Sequence, residues 1–327
     1  MKHKGLCLIG AGGIAQAHIS AVEANSDLAT ITAIVDISPE ASSKLAKQTG
    51  AKAFDSLTAA LSDLGSTFDA VVICTPPSAR IEYVKAALEA GKHVLMEKPI
   101  ATNIEEAETL VDLAGEYPNL ICATAYCHRF EPAIVEIKKL IDTGDYGKLV
   151  RVENTFACPM PQMQDHWMSD PAISGGGSLI DTASHSLDMF QHFVGEAELV
   201  GAVLYHGWEG RGETNVSVLL KAKNGVAAGM IGSGWNEAMR FQVKLICEKA
   251  SFSYDYCIAN TIVKQTAGVE GEESITVDGL KGRFGGQMKA FIEKINHPET
   301  QSNLATFGDG LKTARLVQAA QALCPCG

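Results

Sequence analysis

Gly10-Ala11-Gly12-Gly13-Ile14-Ala15 fits the pattern G-x-G-x-x-A, with an apolar run, Leu6 to Ile9, before it and a helical segment through His18 to Val22 after it. Glycines so placed permit a tight turn and let the backbone approach a pyrophosphate, which rests on the positive end of the helix. Alone, the pattern is weak, because a Gly-rich turn followed by a capping acid looks similar. Asp36 strengthens it. It ends a second apolar run, Ile31 to Val35, 21 residues beyond Ala15, where a carboxylate accepts hydrogen bonds from both hydroxyls of an adenosine ribose. The residues that follow, Ile37-Ser38-Pro39-Glu40, bring no Arg or Lys to neutralise a 2′-phosphate, so charge favours NAD over NADP.

Around this turn, short apolar runs alternate with helix-period segments. Further strands are expected at Ala70 to Cys74, His93 to Met96 and Leu120 to Thr124. Between two of them, Ile81, Val84, Ala87 and Leu88 share one face of a helix that Gly91 stops. This is the βαβ pattern of a doubly wound parallel sheet. After Phe130 a helix runs from Pro132 to Asp142, and alternating stretches follow at Val216 to Lys221, Val226 to Ile231, Phe241 to Cys247 and Ser251 to Tyr256. Asn224-Gly225 reads as a hairpin turn between the first two. Helices return at Gly285 to Ile295 and Leu304 to Leu323. The expected class is α/β, with a Rossmann domain over residues 1–124 and, over residues 125–327, an α+β domain with a large, mainly antiparallel open sheet. The last helix is free to pack back on the first domain.

The 327 residues are 46% hydrophobic and 20% charged, an ordinary globular balance. With 27 Lys and Arg against 38 Asp and Glu, the net charge is −11, which disfavours nucleic acid or an acidic membrane surface as a partner. Nine Cys are scattered without any C-x-x-C pair; those in apolar runs, such as Cys7 and Cys74, read as small buried hydrophobes of a cytoplasmic protein. The Cys324-Pro325-Cys326 tail either is a loose end or chelates or oxidises. Lys2 and Lys4 before an apolar stretch ending in Ala15-Gln16-Ala17 mimic a secretion signal, but the apolar core is too short and glycines interrupt it. No run approaches the roughly 18 apolar residues of a membrane span.

Two further segments carry chemistry. Glu97-Lys98-Pro99 falls at the carboxyl edge of the expected sheet, where open α/β folds bind ligands. Lys98 there is either a solvated surface charge or a group that holds a substrate hydroxyl and eases loss of its proton; the rigid Pro99 favours the second. In the other half, a flexible glycine run, Gly175-Gly176-Gly177, opens a helix on which Asp181 and His185 lie four apart on one face, so the carboxylate can orient the imidazole of a general base. A metal site of Asp181, His185 and His192 lacks further ligands at diagnostic spacing, and none is expected. Trp167, Trp208 and Trp235 suit either sugar stacking or core packing.

These residues resemble the glucose-fructose oxidoreductase and inositol dehydrogenase family, Gfo/Idh/MocA. The ordered landmarks are the Gly10 to Ala15 turn with His18, Ala90-Gly91-Lys92-His93-Val94 running into Glu97-Lys98-Pro99, Arg129-Phe130-Glu131-Pro132, Leu140-Ile141-Asp142-Thr143-Gly144 with Gly147, the glycine run with Asp181 and His185, and Asp309-Gly310. The resemblance implies hydride transfer between a nicotinamide and a secondary hydroxyl or ketone of a sugar, polyol or inositol, with Lys98, Asp181 and His185 as the catalytic set. It implies cofactor contacts from Gly10, Gly12, Gly13, Ile14 and Asp36, from Thr75 and Pro76, and from Glu97 and Lys98. Substrate contacts fall on the catalytic set and on His128, Arg129 and Trp167. A homodimer or homotetramer built through the open sheet is also implied.

Two departures from the family pattern stand out. Arg80 occupies the place of His in T-P-x-x-x-H, and His128 stands where some inositol dehydrogenases carry Arg. Two other readings stay open: a glycosidase that oxidises its substrate transiently and returns the hydride within each turnover, and a nicotinamide-sensing regulator without chemistry.

Overall fold

Apolar strands alternate with helices to build the first part of the chain: β1 (Lys4–Ile9), α1 (Gly13–Glu23), β2 (Ala29–Val35), α2 (Pro39–Thr49), β3 (Lys52–Phe54), α3 (Leu57–Leu64), β4 (Ala70–Ile73), α4 (Arg80–Glu89), β5 (His93–Glu97), α5 (Ile104–Glu116) and β6 (Cys122–Ala125). There follow α6 (Pro132–Asp142), β7 (Leu149–Ala157), the single turn α7 (Pro171–Ser174), α8 (Ser184–Val194), β8 (Ala197–Tyr205), β9 (Asn215–Ala222), β10 (Ala228–Gly234), β11 (Arg240–Cys247), β12 (Ala250–Asp255), β13 (Thr261–Thr266) and β14 (Glu273–Thr276). The chain closes with α9 (Gly282–Asn296), β15 (Ala305–Thr306) and α10 (Phe307–Leu323). This computed structural model describes residues 2–258, 260–278 and 282–324. Two compact units result, Met1–Phe130 with Lys281–Leu311, and Glu131–Leu280 with Lys312–Gly327.

In the first unit, β1 to β6 are parallel in the order β6-β5-β4-β1-β2-β3, and β15 adds antiparallel to β6. The winding reverses between β1 and β4, and the crevice beyond their carboxyl ends is where such sheets take ligands. Every residue of β1 and β4 is buried, as a sheet covered by helices on both faces demands. The sequence places a boundary at residue 124; the compact unit runs on to Phe130 and takes back residues 281–311. The reason lies in α9, whose Met288, Phe291 and Ile292 are buried in one cluster with Leu6, Leu8 and Ile19, while the Asn25 amide donates to the Gly285 carbonyl at 3.0 Å. An apolar helical stripe predicts burial without saying against which core.

In the second unit the order is β14-β13-β12-β11-β7-β10-β9-β8, antiparallel throughout except between β7 and β10. Ile134 and Ile137 of α6, Leu187 and Phe190 of α8, and Leu316 and Val317 of α10 join Val152, Val218, Leu245 and Phe252 in its core. The opposite face of the sheet leaves Val203, Leu219 and Met230 exposed. Among the described residues, no helix is long and apolar enough to cross a membrane. The eight described cysteines are free thiols; Cys324 Sγ donates to the Ala202 carbonyl at 3.2 Å, and Pro325 and Cys326 lie outside the described residues.

Candidate functional site

In the first unit the glycine turn meets the reversal point of the sheet directly. Gly10 holds φ +94°, and a Cβ there would lie 2.9 Å from the Cys74 carbonyl carbon, so only glycine fits. A Cβ on Gly12 or Gly13 would meet nothing within 4 Å, leaving the mouth of the turn open. Gly12 caps α1 without any side-chain acceptor, and the first turn holds no acid; its N–H groups are thus available to an anion. Ile14 is partly exposed on the same turn. Asp36 Oδ2 accepts from Ala11 N–H at 2.6 Å and Oδ1 from Ser38 N–H at 2.8 Å. The carboxylate ties the glycine turn to the start of α2, and each oxygen keeps a lone pair for a ribose hydroxyl. Thr75 Oγ1, beyond β4, is buried with no hydrogen-bond partner. An uncapped helix, an open glycine mouth, a ribose-type acid and an orphaned hydroxyl fit a dinucleotide.

The Glu97-Lys98-Pro99 turn is braced from two sides. Glu97 is buried, with Oε1 2.7 Å from His18 Nε2 of α1, and its Oε2 accepts from Lys98 N–H at 3.2 Å. Arg80, also buried, donates from Nε and Nη2 to the Thr75 carbonyl at 3.0 and 2.8 Å, and from Nη1 to the carbonyls of Glu97 and Pro99. Burial pulls the guanidinium down to about 10, with Glu97 opposing. One cation thus ties the loop after β4 to the loop after β5, the Lys98–Pro99 peptide being cis. As a sequence, Arg80 stands out only as a departure from a family pattern, and His18 only as a landmark. Their roles appear once the three loops are in place.

His128 and Arg129 lie on a short helical turn, Cys127–Phe130. Burial first, then the charges of Arg283 and Lys98, hold the His128 imidazole well below its usual range, so it is neutral near pH 7. Arg129 Nη1 lies 3.6 Å from Asp309 Oδ2 and donates to the Asn303 carbonyl at 3.4 Å. That pairing anchors the returning segment and gives Arg129 structural work.

In the second unit, the segment expected to be one α-helix begins as a π turn, Leu179–Ala183, in which Ala183 N–H reaches back to the Ser178 carbonyl at 2.8 Å, and continues as α8. Asp181 lies in the π turn and His185 in the first turn of α8; four residues stay close to one turn in either geometry. Side chains seat this segment on the sheet: Thr182 Oγ1 is 2.5 Å from Ser233 Oγ, and Ser186 hydrogen-bonds Asn154. His185 is buried, edge-on to Phe156 with ring centroids 6.0 Å apart. Asp181 is near enough to the Cys158 thiol to add to the upward push that burial gives it. Trp167 is half-buried on a short turn against His166. Trp235 is fully buried and stacks on Trp208, so core packing claims it. Glu213, absent from any motif, is buried and receives the N–H groups of Gly177 and Leu179 at 2.9 and 2.8 Å. The glycine run is held, not flexible.

A parallel sheet with a dinucleotide cradle at its reversal point, followed by an antiparallel α+β unit, defines a two-domain nucleotide-binding protein. Residues 4–125 match the sequence model of the oxidoreductase family with an NAD-binding Rossmann fold, and residues 134–253 match that of the GFO/IDH/MocA C-terminal domain. The chain belongs to the Gfo/Idh/MocA family. Levoglucosan dehydrogenase of Pseudarthrobacter phenanthrenivorans is 32% identical over 226 residues, 62% of this chain; there the chain spans 54% of that relative's length. Inositol 2-dehydrogenase of Rhizobium meliloti is 25% identical over 340 residues, covering 96% of this chain and 94% of the relative. A structure of levoglucosan dehydrogenase in complex with NADH and levoglucosan superimposes with TM-score 0.89 at 22% identity, covering 98% and 97% of the two chains. At that identity the likeness speaks to the fold.

Proposed function

We propose that the chain is an NAD-dependent dehydrogenase that moves a hydride between the nicotinamide and a secondary hydroxyl or ketone of a sugar, polyol or inositol. The observation that carries this reading is the bracing of Lys98: Arg80, Glu97 and His18 fix the turn that bears its ammonium at the carboxyl edge of the sheet. A surface lysine needs no such support. The nicotinamide, when bound, supplies the hydride acceptor. Gly10, Gly12, Gly13 and Ile14 hold the pyrophosphate turn, Asp36 the ribose, and Thr75, Pro76 and Glu97 the loops beside it.

In the oxidation direction, His185 takes the hydroxyl proton as the C–H bond breaks, Lys98 donates to the oxygen as negative charge grows on it, and Asp181 orients the imidazole or the substrate. In reduction His185 returns the proton. A neutral His128 suits a hydroxyl-bearing substrate, because its imidazole both accepts and donates; Trp167 offers an aromatic face for a sugar ring. The preference for NAD rests on Asp36, whose charge repels a 2′-phosphate. Copies of the chain assemble through the open sheet face bearing Val203, Leu219 and Met230.

Nicotinamide absorbance, followed with NAD and with NADP against a panel of inositols, aldoses, levoglucosan and linear polyols, tests the reading. NADH accumulating with at least one of them is the expected result. No accumulation with any overturns it, since a cycle that returned the hydride within each turnover would leave none.

A further inference from the structure

We propose that Glu213 is a positioning residue for Asp181 and His185, acting through the N–H groups that open their helical segment; this rests on the reading of those two residues given above. Glu213 is 3% exposed, and proton and hydride transfer at the site make no use of it. A buried carboxylate is costly unless hydrogen bonds replace its water. Here Oε1 accepts from Gly177 and Leu179 N–H at 2.9 and 2.8 Å, while the Glu213 main-chain carbonyl accepts from Ser178 N–H at 2.8 Å. Three consecutive donors, which the start of a helix leaves without partners, are thereby satisfied by one residue.

The glycines around it exist for this contact. A Cβ on Gly177 would lie 2.2 Å from the Glu213 carbonyl oxygen, and one on Gly212 would lie 2.6 Å from the Gly176 carbonyl carbon. Only two facing glycine backbones pass this closely. The loop that carries Glu213 is itself anchored: Gly212 N–H donates to Ser169 and Trp235 N–H to Thr214, each at 2.8 Å, and Trp208 stacks on Trp235 with centroids 6.1 Å apart. A rigid loop therefore sets where the π turn begins, and Asp181 follows four residues after Gly177.

Hydrogen exchange by mass spectrometry on the intact protein, paired with steady-state kinetics, tests this. In Glu213→Ala, peptides spanning 177–185 should exchange about tenfold faster or more, with peptides of β1 and α1 and the affinity for NAD unchanged. With levoglucosan and myo-inositol as probe substrates, kcat should fall while the KM for NAD holds. Glu213→Gln keeps an oxygen for both N–H groups and should restore protection and kcat together. Should Glu213→Ala fail to fold, Glu213→Asp, one methylene short of both donors, carries the same test. Unchanged exchange in the Ala or Asp variant overturns the proposal, as does faster exchange with unchanged kcat, or a Gln variant as impaired as Ala. A wild-type protein inactive on every polyol would instead sink the dehydrogenase reading, and the exchange arm would still decide whether Glu213 holds the turn.

Discussion

Asp36 shows how much one side chain decides. Its two oxygens bind the N–H groups of Ala11 and Ser38, so it shapes the glycine turn and, in the proposed function, also presents charge to a ribose. Asp36→Ser should weaken NAD binding by about tenfold to a hundredfold, as expected for a lost charged hydrogen bond, and narrow the preference over NADP; fluorescence titration with both nucleotides checks it. Arg80 was legible only as an oddity, because a cation in the first turn of a helix is unremarkable until the carbonyls of Thr75, Glu97, Lys98 and Pro99 converge on it. Replacing it by Met leaves those carbonyls buried and unpaired. Thermal or urea unfolding should show a loss of about 3 kcal/mol, and Lys, a point donor where a planar fork is needed, should restore only part. At His128, Ala substitution should raise the KM of the polyol with little change in kcat, the mark of a group that binds ground and transition states alike.

Among the elements, the segment from the glycine run into α8 departs furthest from its sequence. Four-residue spacing between Asp181 and His185 announced a helix, and α8 is there, but nothing in the residues marks the π turn that begins it. That turn answers to Glu213, which is 36 positions from Gly177, and to Thr182 and Ser186 on the sheet; such partners lie beyond any local pattern. By contrast α6 begins and ends where Pro132 and Asp142 place it, since Pro at the first turn and an apolar stripe are local signals. Strands of two or three residues, β3 and β15, are too short to show alternation. Gly177→Ala would press a Cβ onto main chain that cannot retreat, so a fall of several degrees in Tm together with lost turnover is expected. Burial raises the Glu213 carboxyl, opposed by backbone N–H groups and by His206. A folded-state value above the unfolded one means that this group's contribution to stability is full below the ordinary Glu range and is lost as pH rises through the raised value. The stability of Glu213→Gln relative to wild type should therefore grow with rising pH across that window and then level off, as paired melting curves will show.

For the molecule as a whole, the doubly wound sheet was readable because each βαβ unit announces itself, and the second, mainly antiparallel sheet from the alternation of β9 to β12; its strands β7, β8, β13 and β14 were not read. The return of residues 281–311 to the first unit was not readable, since α9 carries the same apolar periodicity whichever core receives it. In the proposed reaction the Lys98 ammonium and the His185 imidazole serve a single hydroxyl. Groups that act in one step are strongly non-additive when removed together. Initial rates of NADH formation should be compared for wild type, Lys98→Met, His185→Ala and the double variant, on whichever polyol the panel identifies. Each single change should lower kcat by about a hundredfold or more, His185→Ala with the Kd for NAD unmoved, and the double variant should be little worse than the poorer single one. Losses that multiply, or a single variant with near-normal turnover, would contradict the shared step.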